Sequence, residues 1–348
     1  MKLFSLPNKK NFLQKKLLGI ILLLISGIVA SCSDENDSKA INENLPGSRS
    51  DVEVSLSWIR TMEGRQYICD ELTGGINFEG NTEPVSLDYT PMIAGLTVQI
   101  FNRDNLSQSN IPVENIFIEK EFVSENSDWN FNVTLPPGQY SAIAWISLRE
   151  AEGNYFYDFE SLNSVTLTGD KNSITSMRDC FRGECNFEVK SEAARIDIEM
   201  KRPTGKFSII TNDLDKFLQK QGDDLSLFEV EVSYAWFFPT SYNALSDRLS
   251  NSSTGEKFKC KILPLSESRA LIASDYMLMN PGESGLTAVL SIKGPKNYTL
   301  YLPAIEVPLW RNTDTVIRGD FLTKSGDGGF GLNPGFDGDI IIFPDSGI

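Results

Sequence analysis

The sequence predicts an all-β protein, and three observations lead to this prediction. Apolar and polar residues alternate in several segments, turn-forming residues separate those segments, and helical periodicity is scarce. The first alternating segment places four apolar side chains on one side of a predicted strand: Val52, Val54, Leu56 and Trp58. Many short strands punctuated by turns are typical of β-sandwiches.

The same period of two recurs along the chain, in segments 96–100, 129–135 and 196–200. Trp58 and Trp129 lie on the apolar side of their strands, and we expect both in a core. The best helical candidate follows later, where Asn212 or Asp213 could cap a short helix that buries Leu214, Phe217 and Leu218.

The N-terminus predicts export. Five lysines precede the apolar run 17–30, which has fourteen residues and is too short to span a bilayer that requires about twenty. Val29, Ala30 and Ser31 before Cys32 resemble the lipobox of bacterial lipoproteins, in which the cysteine becomes the first mature residue and carries lipid. The alternative is an ordinary secretory signal with a chance cysteine. Residues 1–31 are therefore predicted to be a lipoprotein signal peptide.

Residues 32–50 are polar and acidic, and they predict a flexible tether. Asp34, Glu35 and Asp37 resemble the signal that sends lipoproteins of some bacteria to the outer surface of the outer membrane. A tether that is merely solvated would look similar.

Composition excludes several classes of function. The signal peptide holds five lysines and no acids, so the mature chain carries 27 basic and 47 acidic residues, a net charge of −20. We expect no nucleic-acid partner, because polyanions are bound by basic patches. Histidine is absent, which excludes histidine triads, histidine bases and histidine-ligated zinc. We predict a protein that is not an enzyme and has no cofactor or metal. The alternatives are a catalytic pair of carboxylates among the 47 acidic residues and a calcium-binding loop at 327–339.

Cys180 and Cys185 are the one cysteine pair with close spacing. Gly183 lies between them, so a short hairpin closed by a disulfide is one interpretation in an oxidising compartment. Buried, unpaired thiols are the other interpretation.

Trp236 and Trp310 lie near predicted turns, and each is a candidate contact for a ligand such as a sugar ring. A place in the core is the alternative for both.

Pro203 and Gly205 interrupt the chain after the strand at 196–200, and they predict a boundary between domains 51–201 and 202–348. The segment "LPPGQY" at 135–140 predicts a turn between two strands and is similar to a hairpin of transthyretin-like sandwiches.

Four segments occur in order in the second half: "RPTGKFSIITND", "WFFPTSYNALSDR", "ASDYMLM" and "VPLWRNTDTVIRGDFLT". Together they resemble the fimbrillin-type lipoproteins of Gram-negative anaerobes, which build type V pili. The resemblance implies two tandem transthyretin-like or Ig-like β-sandwich domains and a role as a pilus subunit. It also implies an outer-membrane lipoprotein exposed at the cell surface, and pilus partners joined by donor-strand exchange.

In that family a stalk subunit is cut after an arginine, and Arg49 is the most loop-like candidate here. The last predicted strand, 340–343, is followed by five residues, which favours a tip or anchor subunit over a stalk. A tip would bind a host or bacterial surface ligand. The alternative function is a carbohydrate-binding surface lipoprotein of a glycan uptake system.

Overall fold

The computed structural model describes residues 49–58, 61–70, 73–85, 92–104, 110–122, 129–168, 175–222 and 224–323. These residues are mostly strands, which confirms the predicted all-β class. The lipobox, the tether acids and the C-terminal strand predicted at 340–343 lie outside the described residues.

The described strands, numbered in chain order, are β1 (Ser50–Trp58), β2 (Glu63–Cys69), β3 (Ile76–Thr82), β4 (Met92–Asn102), β5 (Glu114–Phe122), β6 (Trp129–Leu135), β7 (Gly138–Glu150), β8 (Tyr157–Asp158), β9 (Val165–Leu167), β10 (Cys180–Val189), β11 (Ala194–Met200), β12 (Thr204–Thr211), β13 (Glu229–Ala235), β14 (Phe237–Asn243), β15 (Arg248–Thr254), β16 (Lys257–Cys260), β17 (Leu263–Pro264), β18 (Ala270–Leu278), β19 (Glu283–Lys293), β20 (Thr299–Tyr301), β21 (Ile305–Trp310) and β22 (Thr313–Gly319). Helix α1 is Leu214–Gln221, and short 3₁₀ helices occur at Thr175–Arg178 and Leu225–Leu227.

The first hydrophobic core lies between two sheets, one with the order β11-β1-β6 and one with the order β10-β7-β4-β5. β1 alternates as predicted, since its apolar side chains are buried and most of its polar ones are exposed. Trp58 and Trp129 are both buried with ring centroids 5.8 Å apart, which confirms that they belong to the core.

The second core lies between a six-stranded sheet, β17-β18-β12-β22-β2-β3, and a sheet in which β16-β13-β19-β20 is joined by β21 beside β19. Every residue of β12 and β18 is buried. Because both strands are covered on both faces, burial does not alternate along them, and in β12 the covered residues include the polar Lys206 and Ser208.

Each half of the chain closes by pairing its first strand with its last. β1 runs parallel to β11, and β12 runs parallel to β22. Some strands cross between the halves. β2 pairs with β22, and β3 follows on the other side of β2. β14 pairs with β9 in a sheet with the order β15-β14-β9-β8. The boundary between residues 201 and 202 stays a prediction.

The turn predicted in "LPPGQY" is present, but the hairpin is wrong. β6 ends at Leu135 and pairs with β1, whereas β7 starts at Gly138 and pairs with β4 and β10. The turn therefore carries the chain from one sheet to the facing sheet. The Tyr140 hydroxyl donates a hydrogen bond to the carbonyl of Pro136 (2.9 Å) and holds the turn closed.

The predicted helix is confirmed as α1, with Leu214 and Phe217 buried. Asp213 occupies the N-cap position, yet its side chain does not cap the helix. Its carboxylate instead accepts hydrogen bonds from the backbone N–H groups of Leu322 (3.2 Å) and Thr323 (2.7 Å). Asp213 thus fixes the chain after β22 against the start of α1.

Buried ion pairs join the two halves where the chain passes from β11 to β12. Arg202 donates to both oxygens of Asp179 (2.8 and 3.0 Å) and to the side chain of Asn312 (2.8 Å). Its neighbour in space, Arg178, donates to Asp275 of β18, which also accepts from the hydroxyl of Tyr234. All four charged side chains are more than nine-tenths buried.

Removal of one partner from the Arg202–Asp179 pair leaves a buried charge without compensation. We expect Asp179→Ala to lower the free energy of unfolding by about 3–5 kcal/mol, measured by urea denaturation. The matched control is Glu199→Ala, which breaks the exposed Lys201–Glu199 pair (3.1 Å) and should change stability little. Equal losses in the two variants would contradict a structural role for the buried pair.

Candidate functional site

A groove opens in the second sandwich where β13 leaves its sheet. β13 pairs with β19 as far as Ala235, which lies opposite Thr287. The next residue, Trp236, has a φ of 70°, and the chain then enters β14, which belongs to another sheet. The position beside the first part of β19 is therefore vacated by β13.

The main chain of β19 faces this vacated position at Gly285. The backbone N–H of Tyr234 donates a hydrogen bond to the carbonyl oxygen of Glu256 (2.9 Å), on the side of β13 away from β19. Backbone groups alternate in direction along a strand, so those of the residues next to Tyr234 in β13 point towards β19. Ala235 is one of these, and Thr287 is its partner. Because the direction alternates along a strand, the N–H and C=O of Gly285 point to the same side as those of Thr287, where no described strand pairs with them.

The groove has a volume of about 660 Å³, within the range typical of small-ligand sites. Trp236, Phe237 and Leu286 are among the residues that line it. Tyr67 and Ile76, from the facing sheet, also line it. The groove therefore reaches between the two sheets of the sandwich, at a point where no described strand continues the pairing of β13 with β19.

Trp236 and Phe237 expose 58% and 72% of their surface. A positive φ is rare for a bulky residue, because the left-handed conformation costs about 1–2 kcal/mol in a residue with a Cβ. Such strain persists where the surrounding structure holds it, and it is concentrated at functional sites. Its exposure and its positive φ beside a groove make Trp236 a candidate functional residue.

Trp310 lies in the same groove with a different environment. It is half-buried and packs against the second core. The guanidinium of Arg65 lies 4.1 Å from its ring centroid, so one face of the ring is covered. The structure thus brings the two predicted ligand-contact tryptophans together, but only Trp236 presents an extensive exposed surface.

Sequence reasoning missed Phe237, Gly285 and Glu306 as groove residues. A signal for the first was present in "EVEVSYAWFFP", where alternation continues to Ala235 and is then broken by three successive aromatic residues. Gly285 and Glu306 lie on strands whose pairing with each other cannot be read from their own sequences.

The disulfide interpretation of Cys180 and Cys185 is wrong. Both lie in the continuous strand β10, five positions apart, which separates them by about 17 Å at 3.3 Å per residue. A disulfide requires Cα atoms within about 7 Å. Gly183 serves packing and not a turn, because a Cβ there would lie 2.5 Å from the sulfur of Met200 and 2.6 Å from Ile198.

Arg49, the candidate cleavage site, is exposed and immediately precedes β1 at Ser50. A cut after Arg49 would leave β1 complete. The lipidation site Cys32, its lipobox residues Val29, Ala30 and Ser31, and the acids Asp34, Glu35 and Asp37 lie outside the described residues, and they stay predictions. The acids at 327–339 that were considered for calcium also lie outside them.

Within the described ranges, no three acidic or cysteine side chains are grouped closely enough to hold a metal ion. The same part of the chain contains no helix that is long and apolar enough to cross a membrane.

A family model, described as a family of unknown function (DUF6562), matches residues 94–345. The chain belongs to the DUF6562 family. A search of curated proteins finds no match to this DUF6562 protein.

Several solved structures are similar to this DUF6562 protein at low identity. A candidate adhesin from Bacteroides thetaiotaomicron VPI-5482 has 11% identity over 75% of this chain and 81% of its own, with a TM-score of 0.43. The fimbrial anchor protein Mfa2 from Porphyromonas gingivalis has 14% identity over 72% and 81%, with a TM-score of 0.34. A fimbrial assembly protein from Parabacteroides distasonis ATCC 8503 has 12% identity over 78% and 91%, with a TM-score of 0.38. Similarity at this level does not define a function for this chain.

Alkylation tests the correction for Cys180 and Cys185. Burial raises the pKa of the Cys180 thiol well above its usual value, and burial, followed by the charge of Asp197, raises that of Cys185. In the folded protein without reductant, we expect iodoacetamide to label the half-buried Cys185 slowly and the buried Cys180 not at all. Both should be labelled in urea, as measured by peptide mass spectrometry. A cross-linked 180–185 peptide would contradict the strand assignment.

Proposed function

We propose that this DUF6562 protein is an accessory subunit of surface fimbriae, a tip or an anchor, that acts by assembly and adhesion and not by catalysis. In this proposal, lipid on Cys32 holds the protein at the outer membrane, and its partners are other pilus subunits and a host or bacterial surface ligand. The four fimbrillin-like segments of the second half and the lipobox support it.

The observation that carries the proposal is the position of β1. This first strand is the central strand of its sheet, with β11 on one side and β6 on the other. Its apolar face is buried in the first core. Loss of β1 would leave two unpaired strand edges above an apolar floor, which is the kind of groove that a strand from another subunit can fill.

The burial of β1 is energetically large. Complete burial of a large apolar side chain contributes about 1.5–3 kcal/mol, so the four that β1 buries contribute on the order of 6–12 kcal/mol. That amount is comparable to the whole stability of an ordinary domain. A subunit without β1 therefore needs a replacement strand, whereas one that keeps β1 is complete by itself.

The position of Arg49 determines which part of the chain a cut after it would remove. A cut after Arg49 would separate Cys32 from the sandwich and leave β1 in place. Cleavage there would release the protein from its lipid without removing β1, so the groove that loss of β1 would create would not open. An anchor in this proposal keeps both the 32–50 tether and β1.

Deletion of the gene in a fimbriated host strain tests the accessory role. Loss of an anchor should release fimbriae into the medium or change their length, and loss of a tip should reduce adhesion while fimbriae remain attached. Electron microscopy and adhesion assays, with complementation by the wild-type gene, would measure this. Fimbriae unchanged in number, length, attachment and adhesion would overturn the proposal.

A disulfide lock on β1 separates a tip from an anchor. Ser55 and Asn130 lie directly opposite each other on β1 and β6, and opposite residues are close enough for a disulfide. If the subunit keeps its own strand, Ser55→Cys with Asn130→Cys should leave its incorporation into fimbriae unchanged. If β1 must leave to accept a strand, incorporation should fall and return with reductant. Ser55→Cys alone is the control.

A further inference from the structure

Lys206 and Asp314 form a buried pair in the six-stranded sheet of the second core. They lie directly opposite each other on the parallel strands β12 and β22. The Nζ atom of Lys206 is 3.0 Å from Oδ2 of Asp314, and the two side chains are 3% and 0% exposed. An amine and a carboxyl group are therefore held in contact and away from solvent.

The main chain of Val85 contacts both members of this pair. Its N–H donates a hydrogen bond to Oδ2 of Asp314 (2.9 Å), and its carbonyl oxygen accepts one from the Lys206 ammonium. The hydroxyl of Ser208 also donates to Oδ2 (3.1 Å). Val85 follows β3, so the crossing of β2 and β3 to the second core brings this donor and acceptor to the pair.

These contacts leave part of the ion pair unsatisfied. Oδ1 of Asp314 is buried and has no hydrogen-bond partner among the residues that the structure describes. The Lys206 ammonium has three N–H donors, whereas the acceptors described for it are Oδ2 of Asp314 and the carbonyl of Val85. Burial of a charged pair is offset only when its remaining hydrogen-bonding groups are also paired, so the lone Oδ1 is costly.

We infer that Lys206 and Asp314 join in an intramolecular isopeptide bond, which is an amide between Nζ and the carboxyl carbon. An amide has one N–H and one carbonyl oxygen, and the partners for both are in place. The N–H would donate to the carbonyl of Val85, and Oδ2 would accept from the N–H of Val85 and from Ser208. Oδ1, the atom without a partner, is the one that leaves. The site therefore fits the cross-linked product better than the ion pair.

The reaction balances without an oxidant, a cofactor or a second reactant. A proton passes from the Lys206 ammonium to Oδ1 of Asp314, which leaves an amine beside a carboxylic acid. The nitrogen lone pair attacks the carboxyl carbon, and the π electrons of the C=O bond move to Oδ2. The Val85 N–H and the Ser208 hydroxyl stabilise the negative charge that develops there. A second proton passes from nitrogen to Oδ1, the bond to Oδ1 breaks, and water leaves as the carbonyl group reforms.

Burial and register both favour this reaction. The first proton transfer removes two charges from an interior in which charges are costly. The direct pairing of β12 with β22 holds the amine against the carboxyl group, so the two groups do not have to find each other by diffusion. An exposed lysine–carboxylate pair has the second advantage without the first.

The bond would join the first strand of the second half to its last described strand. A cross-link between residues far apart in the sequence restricts the unfolded chain and so stabilises the folded one. Because Val85 supplies a donor to Oδ2, the bond would form only after β2 and β3 have docked. The inference is independent of the fimbrial role, because it concerns a bond within one chain.

Peptide mass spectrometry of the detergent-extracted full chain tests the inference. After denaturation and digestion with trypsin, we expect segment 202–216, uncut at Lys206, joined to segment 312–318. The joined species should be lighter than the two peptides together by one water. Recovery of 207–216 and 312–318 as separate peptides, with no joined species, would overturn the inference and leave an ordinary buried ion pair.

An exposed pair in the same digest is the matched control. Lys259 and Glu229 are closer, at 2.8 Å, but their side chains are 46% and 45% exposed. We expect no cross-link between them. A cross-link at this pair as well would show that proximity alone is sufficient, and it would contradict the role given to the buried site.

Ser208→Ala tests the contribution of the donors to Oδ2. Loss of one such donor should slow formation of the cross-link on the order of 100-fold, measured by the same peptides in a pulse-labelled time course. A purely structural role for Ser208 predicts formation at the wild-type rate, and that result would contradict the proposed stabilisation of Oδ2. In Asp314→Ala the peptide 207–216 should be released, because Lys206 then has no carboxyl partner.

Discussion

The buried pair of Arg202 and Asp179 is the constraint on which the arrangement of the two cores depends. Arg202 lies in the connection between β11 and β12, Asp179 immediately precedes β10, and the same guanidinium reaches Asn312 in the turn before β22. Two charges taken out of water are stabilised only in a narrow geometry, because desolvation is offset only by complete pairing. The pair therefore fixes the end of the first half against the turn between β21 and β22 in the second.

Arg178 extends this constraint to the groove. It reaches Asp275 of β18, and the hydroxyl of Tyr234 donates to the same carboxylate. Tyr234 lies two residues before Trp236. A buried hydrogen bond therefore holds the end of β13 just before the chain bends away. The backbone bend at Trp236 thus starts from a point that the junction between the halves holds in place.

The local sequence predicted where the strands lie in the chain better than it predicted which strands lie next to each other. The alternation of β1, β6 and β11 is a property of single strands that are half-buried, and the structure contains all three. β4 is present too, although its polar residues Thr97 and Gln99 are also buried. The crossing of β2 and β3 to the second core was not predictable, because their partner β22 lies far along the chain and its apolar residues specify burial, not a particular neighbour. Gly183 shows the same limit on a smaller scale, since its role in close packing against Ile198 depends on β11. For the groove, sequence identified Trp236 and Trp310 but could not reveal that they meet, or that Arg65 covers only one of them.

Among the residues that the structure describes, the sheet leaves one edge of β19 unpaired at the groove, and the short length of this edge explains why it is tolerated. A long exposed edge with an apolar floor invites pairing between copies and aggregation. Here the vacated edge extends from Leu286 to Glu283, and the departing chain places Trp236 and Phe237 beside it. These two side chains are 58% and 72% exposed. The bend that ends β13 at Trp236 therefore both leaves this short edge and places two exposed aromatic side chains beside it, so the edge and its neighbours have one structural origin.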